Sequence, residues 1–254
     1  DYNELVRAAT LSSAAYDGCQ IQAFDVNITQ QLYDVASDTQ GYIGFSPSEQ
    51  RISVVLRGST TPQDFANDMD TAPVTPVLSG VNFPPGTQVM NGVYTPWLSV
   101  HNQTIAEVRR LIGLYPNYTL ESTGHSLGGA LTYLSYISLA QNFPGKNITS
   151  NALAAFAIGN DIFANFGSSQ QGELRRGNNV DDGVPNTYPQ FTHYGIEFYG
   201  NGTLASTVQC EGETDSQCSA GNGLTYITPG HFFSFGIELG TTGCGGGIPS
   251  VPTK

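Results

Sequence analysis

Tyr118-Thr119-Leu120-Glu121-Ser122-Thr123-Gly124-His125-Ser126-Leu127-Gly128-Gly129-Ala130 is the stretch that decides how this chain is read. Its first half is extended in character, its middle is Gly-His-Ser-Leu-Gly, and helix formers run on to Ala140. That order is strand, sharp turn, helix, the setting in which a G-x-S-x-G pattern presents a nucleophile. A residue held on such a turn occupies strained backbone, and a Cβ at position 124 or 128 would press on the neighbouring strand or helix. Ser126 Oγ then projects above the sheet. The Leu127 N–H lies at a helix start, where unpaired donors favour an anion.

Downstream, residues 152–158 are apolar and end at Gly159-Asn160. Strand, helix and strand make one βαβ unit, with Ser126 at the carboxyl end of its first strand, the edge where parallel sheets bind ligands. The expected class is therefore α/β. Upstream, residues 51–57 are β-branched and apolar in the middle, a buried strand ending at Gly58-Ser59-Thr60-Thr61. Residues 1–15 predict an amphipathic helix, and 32–35 and 42–45 short strands about a polar turn. Residues 99–115 predict a helix carrying Ile105, Val108, Ile112 and Tyr115, ended by Pro116. Thr61 can cap a short helix opening with Pro62, with Phe65 and Met69 on one face. Pro- and Gly-rich arms follow, so the segment is either a moving lid or an ordinary surface helix. Residues 178–185 read as a polar loop, and 191–199 with 203–208 as a hairpin turning at Asn201-Gly202. No internal repeat and no linker interrupts the chain, so a single domain over 1–254 is expected.

The 254 residues carry 9 Lys+Arg against 21 Asp+Glu, a net charge of −12. No basic stripe offers a nucleic-acid footprint, and anionic membranes would repel the chain. No run of 18 apolar residues spans a bilayer. The start at Asp1, the five N-x-S/T triplets at Asn27, Asn102, Asn117, Asn147 and Asn201, and an even set of four cysteines fit a processed, secreted glycoprotein. Four cysteines allow three pairings. Cys210 and Cys218 are near neighbours around a polar loop, which favours Cys210–Cys218 and leaves Cys19–Cys244 to join the chain ends; four free thiols are the competing state.

A serine hydroxyl needs a histidine to take its proton and an acid to orient that histidine. In α/β-hydrolases the order is Ser, Asp/Glu, His. Of four histidines, His101 precedes the serine, and His125 adjoins Ser126, where side chains point apart. His193 sits in an alternating segment and reads as structural. His231, behind Thr228-Pro229-Gly230, is the expected base. Asp161, Glu173, Asp181, Asp182, Glu197 and Asp215 lie between serine and base. Asp182, backed by Gly183-Val184-Pro185, is preferred, with Asp181 the rival. Leu127 N–H and Ser59, at the end of the residue 51–57 strand, are the expected oxyanion donors. No His/Cys/Asp cluster has metal-ligand spacing, so neither metal nor cofactor is expected.

These residues resemble the secreted fungal lipases of the class 3 group, which have an α/β-hydrolase fold. The resemblance rests on Arg57-Gly58-Ser59, Gly124 to Gly129, Arg176 to Asn186, His193-Tyr194-Gly195, Cys210-Glu211-Gly212, Cys218 to Gly223 and Thr228-Pro229-Gly230-His231. Within that group the chain looks closest to mono- and diacylglycerol lipases of Penicillium type, with fungal feruloyl esterases more distant. The resemblance implies a central, mostly parallel sheet with helices on both faces and a helical lid over about 60–74. It also implies Ser126, Asp182 and His231 as the triad, Ser59 as an oxyanion residue, and both favoured disulfides. The expected activity is a monomeric, secreted ester hydrolase acting on acylglycerols at a lipid–water interface. Asp64, Asp68 and Asp70 make the lid region polar, which keeps a feruloyl-type or short-chain soluble esterase as the alternative. A non-catalytic lipid-binding protein is the other class, and an intact Ser, Asp, His order argues against it.

Overall fold

Residues 1–60 and 69–245 are described by the computed structural model. The strand ahead of the turn is β7 (Thr119–His125), and the helix behind it is α3 (Leu127–Asn142). Strand β7 lies mid-sheet because both neighbours pair with it in parallel: β4 (Arg51–Leu56) on one side and β8 (Ile148–Leu153) on the other. The parallel run continues through β9 (Glu173–Asn179) to β10 (Ile196–Gly200). Antiparallel strands flank it: β1 (Gln22–Ala23), β2 (Val26–Asp34) and β3 (Thr39–Ser46) beside β4, and β11 (Val208–Gln209) beside β10. The nine-stranded order is β1-β2-β3-β4-β7-β8-β9-β10-β11.

Alternation along β4 divides the molecule into two layers. Ile52, Val54 and Leu56 point to the core beneath α3 and the long helix α2 (Asn91–Leu114), while Ser53 and Val55 face α1 (Tyr2–Asp17). Helices thus cover both faces, and buried strands between them can be apolar on either side.

Several elements differ from the sequence expectation, each for a physical reason. Helix α2 begins at Asn91 rather than residue 99, because Val93 and Trp97 continue the buried face of Val100, Thr104, Val108 and Leu111 through Pro96. Helix α1 is buried almost all round from Leu5 to Ala15, since the chain's last described segment straps over it: Gly240 N–H and Thr242 N–H both donate to Ser13 Oγ. Cys19–Cys244 closes the strap, and Cys210–Cys218 closes the small loop. The strand at 152–158 ends at Leu153; Ala154 to Ile158 is a buried non-strand passage, which apolar composition alone does not distinguish from a strand. Helix α4 (Asp161–Ser168) follows, where Asn160 Oδ1 accepts the Phe163 N–H at 3.1 Å, a cap that no expectation included. The hairpin is confined to Ile196–Gly200 and Val208–Gln209, and residues 191–195 are irregular.

Phe65 and most of the lid expected over 60–74 lie outside the described residues. Met69 is half-buried against the main core, and Val74 pairs with Val89 through the short strands β5 (Pro73–Val74) and β6 (Val89–Met90). Leu78 and Val81 enter the core, so the Pro-rich arm is anchored rather than loose.

Candidate active site

Strands β4, β7 and β8 end at one edge, with Leu56, Gly124 and Ala152 in register. Ser126 follows, with φ 60° and ψ −123°, a backbone region costly for a residue with a Cβ. Its N–H is held by Leu153 O at 2.9 Å, and its carbonyl accepts the Ala130 N–H at 2.9 Å. The glycines do what the turn demands. A Cβ on Gly124 would collide with the Gly128 backbone, and one on Gly128 with Leu56 O, so the turn lies hard against the end of β4.

Across that edge the chain brings together three residues far apart in sequence. Ser126 Oγ lies 2.9 Å from His231 Nε2, and His231 Nδ1 lies 2.9 Å from Asp182 Oδ2. All three are nearly sealed, at 2 %, 1 % and 0 % exposure respectively. The partners assign the tautomer: Nδ1–H donates to the carboxylate, and Nε2 is left to accept from the serine hydroxyl.

Asp182 has further support. Its Oδ1 accepts the Val184 N–H at 2.9 Å, and its carbonyl accepts from Asn222 Nδ2 at 2.8 Å. Asp181, its sequence rival, is exposed, and its carbonyl accepts from Thr228 Oγ1, three residues before His231. Gly230 packs on Asp181 so closely that a Cβ there would meet the Asp181 backbone and side chain at 2.6–3.0 Å. The loop of Asp182 and the loop of His231 are therefore locked to each other. Asn222 and Thr228 have no expected role in the sequence reading, although both fall within stretches that it singles out.

The other histidines are placed elsewhere. His193 lies in the irregular segment, with Tyr133 OH 3.0 Å from Nδ1 and Pro185 O 2.8 Å from Nε2. Burial, helped by the nearby Arg176 charge, lowers its pKa to about 3, so it stays neutral. His101 packs on Trp97 within α2. His125 is buried, and its ring is committed at both nitrogens, to Tyr16 OH at 3.0 Å and His231 O at 2.7 Å. That goes beyond the packing role its sequence position predicts.

Ser59 and Leu127, the expected oxyanion donors, flank the same edge; Leu127 opens α3, and Ser59 lies two residues beyond Arg57, whose carbonyl carbon a Cβ on Gly128 would approach to 2.9 Å. A cavity of about 170 Å³ borders the row, lined by Tyr16, Ser59, Thr60, His231, Phe232 and Leu239 among others. Phe232 and Phe233 are partly exposed beside His231. Cys210, Asp215 and Cys218 converge elsewhere, but both cysteines are consumed by their disulfide and are not free to bind metal.

A hydroxyl, an imidazole and a carboxylate in one hydrogen-bonded row can generate an alkoxide-like nucleophile and attack an acyl carbon. The profile of the class 3 lipases matches residues 53–192. The chain belongs to the class 3 lipase family. It is 56% identical over 248 residues to the secreted alkaline triacylglycerol lipase of Penicillium cyclopium, covering 96% of this chain and 87% of that protein. A crystal structure of a triacylglycerol lipase from Penicillium expansum superposes with a TM-score of 0.95 at 55% identity, over 96% of both chains. The secreted mono- and diacylglycerol lipase A of Penicillium camembertii is 25% identical over 245 residues, covering 91% of this chain and 76% of that protein. Class 3 membership and the α/β-hydrolase architecture thus stand. Within the family, the mono- and diacylglycerol lipase is less similar to this chain than the two triacylglycerol lipases.

Proposed function

We propose that this class 3 lipase is a secreted carboxylic ester hydrolase that cleaves acylglycerols, triacylglycerols among them, through an acyl-enzyme. The observation that carries the reading is the unbroken row from Ser126 Oγ through His231 to Asp182 Oδ2, at 2.9 Å per step. Ser126 Oγ attacks the ester carbonyl while His231 Nε2 takes its proton. Asp182 holds the imidazolium. The tetrahedral oxyanion is bound by the Leu127 N–H and by Ser59. Collapse expels the alcohol, which receives the proton from His231. Water, activated by the same histidine, then attacks the acyl-enzyme and frees the fatty acid. The row needs neither metal nor cofactor for these steps.

With Ser126 only 2 % exposed, substrate reaches it after a rearrangement. The proposed mover is the lid around residues 60–74, which would supply Phe65 and Met69 as lipid-contacting side chains once opened. Each sequon asparagine is exposed (Asn27, Asn102, Asn117, Asn147 and Asn201), which suits N-glycans on a secreted monomer. No helix of the described residues is long and apolar enough to cross a membrane, consistent with contact at a lipid–water interface from the aqueous side.

The test is the initial rate on a short-chain triacylglycerol as its concentration passes the solubility limit. A rise at the emulsion point is expected. Saturation below that point, with faster turnover of feruloyl or other soluble esters, would replace the lipase reading with the soluble-esterase one.

A further inference from the structure

Two residues outside the triad meet at the back of His231. Tyr16 lies in the last turn of α1, and His125 precedes Ser126. His125 Nε2 is 2.7 Å from the His231 carbonyl oxygen, which has no proton to give, so Nε2–H is the donor and Nδ1 the acceptor. Nδ1 in turn lies 3.0 Å from Tyr16 OH, which must then donate. On its other side the Tyr16 hydroxyl packs against the backbone of Gly58. Gly58 approaches so closely that any Cβ there would strike the Tyr16 hydroxyl and come within 2.6 Å of His125 O.

We propose that Tyr16 and His125 are positioning residues that tie the Gly58–Ser59 loop to the backbone of His231, through the close packing of Gly58 on the Tyr16 hydroxyl, Tyr16 O–H to His125 Nδ1, and His125 Nε2–H to His231 O. The proposal rests on the assignment of His231 as base. The chemistry asks for such a device. The base and the oxyanion donor arrive on loops 172 residues apart in sequence, from Ser59 to His231, and their separation decides whether proton transfer and oxyanion binding act on one carbonyl. The hydrogen at His231 Nδ1 is fixed by Asp182, but that contact leaves the loop's in-plane position to its backbone. The His231 carbonyl is the backbone handle, and His125 grips it from a ring that the elbow itself anchors. The His125 and His231 rings lie 4.7 Å apart, so both cannot carry charge at once. Burial and the His231 charge push His125 well below the usual histidine range, keeping it neutral while its neighbour shuttles the proton.

The test uses the full chain. Tyr16→Phe removes one hydroxyl and keeps the ring; kcat is expected to fall about tenfold with KM unchanged and Tm close to that of the parent. His125→Met is expected to lose at least as much kcat. His125→Gln, which retains an N–H able to reach the His231 carbonyl, recovers part of it. Because both residues belong to one relay, the Tyr16→Phe/His125→Met double variant is expected to be no slower than His125→Met alone. If His125→Met does not fold, Tyr16→Phe and His125→Gln carry the test. Unchanged kcat in Tyr16→Phe, a loss confined to KM, or losses that multiply in the double variant would overturn the relay. Fluorophosphonate labelling of the unmodified protein separates this from the triad itself. Failure to label Ser126 removes the base assignment and the relay with it, whereas stoichiometric labelling with unaffected Tyr16→Phe kinetics removes only the relay.

Discussion

At the scale of single residues, two adjacent aspartates lie within reach of the His231 loop, and one of them bonds to the imidazole. Asp181 and Asp182 are adjacent and chemically identical, and the directions of their side chains set them apart. Asp182 is sealed and bonded to His231 and the Val184 N–H, while Asp181 faces water. Asp182→Asn is expected to lower kcat by about 10³–10⁴-fold, because an amide at that point favours the wrong imidazole tautomer. Asp181→Asn is expected to leave kcat nearly unchanged. A larger loss at 181, measured on any soluble ester, would reverse the assignment. The three residues of the proposed triad could be picked out in the sequence because each sits near a turn former: Gly124 and Gly128 around Ser126, Gly183 behind Asp182, Gly230 before His231. The double commitment of the His125 ring was not, since nothing in the sequence brings Tyr16 to it across 109 positions.

At the scale of elements, β7 carries more than the elbow. Glu121, four residues into the quoted stretch, points to the opposite face and is 4 % exposed beneath α1. It accepts from Arg7 Nη2 at 2.8 Å and Nε at 3.1 Å, from Ser53 Oγ at 2.6 Å, and from Arg51 Nη1 at 3.2 Å. Burial alone would raise its pKa; the Arg7 charge and hydrogen bond, with Ser53 and Arg51, overcome that and lower it. The folded carboxyl therefore titrates below its unfolded value of about 4.3, so its stabilisation is complete above that pH and is lost as pH falls further. Glu121→Gln is expected to cost about 3 kcal/mol at pH 7, because Arg7 is left half-paired in the interior. The variant should also lose less stability than the parent between pH 7 and pH 3, as read from urea midpoints. Parallel pH curves for the two proteins would show that Glu121 contributes nothing ionic. A charged residue inside a strand reads from sequence as a solvated position, and only the packing of α1 over this face makes it a buried one. The same limit hid the start of α2, where Trp97 and Val93 outweigh the broken hydrogen bond at Pro96.

At the scale of the whole molecule, local pattern located the βαβ centre, and long-range packing arranged what surrounds it. The residue 51–57 strand and the elbow strand become parallel neighbours with 61 residues between Arg57 and Thr119, which brings Ser59 and Leu127 to one edge. The strap after His231 runs back over α1 and is pinned by Cys19–Cys244, so His231, the proposed base, is held between the sheet edge and the first helix. Those contacts join opposite ends of the chain and have no local signature. With net charge −12, the protein is suited to solution and to neutral lipid surfaces rather than anionic ones. The proposed chemistry depends on one hydroxyl, that of Ser126. The decisive measurement is fatty-acid release from a triacylglycerol emulsion by the parent protein and by Ser126→Ala, with Tm recorded for both. The expected result is turnover by the parent, a loss of at least about 10³-fold in the variant, and nearly equal Tm values. A folded Ser126→Ala protein that still hydrolyses the emulsion at a comparable rate would contradict it.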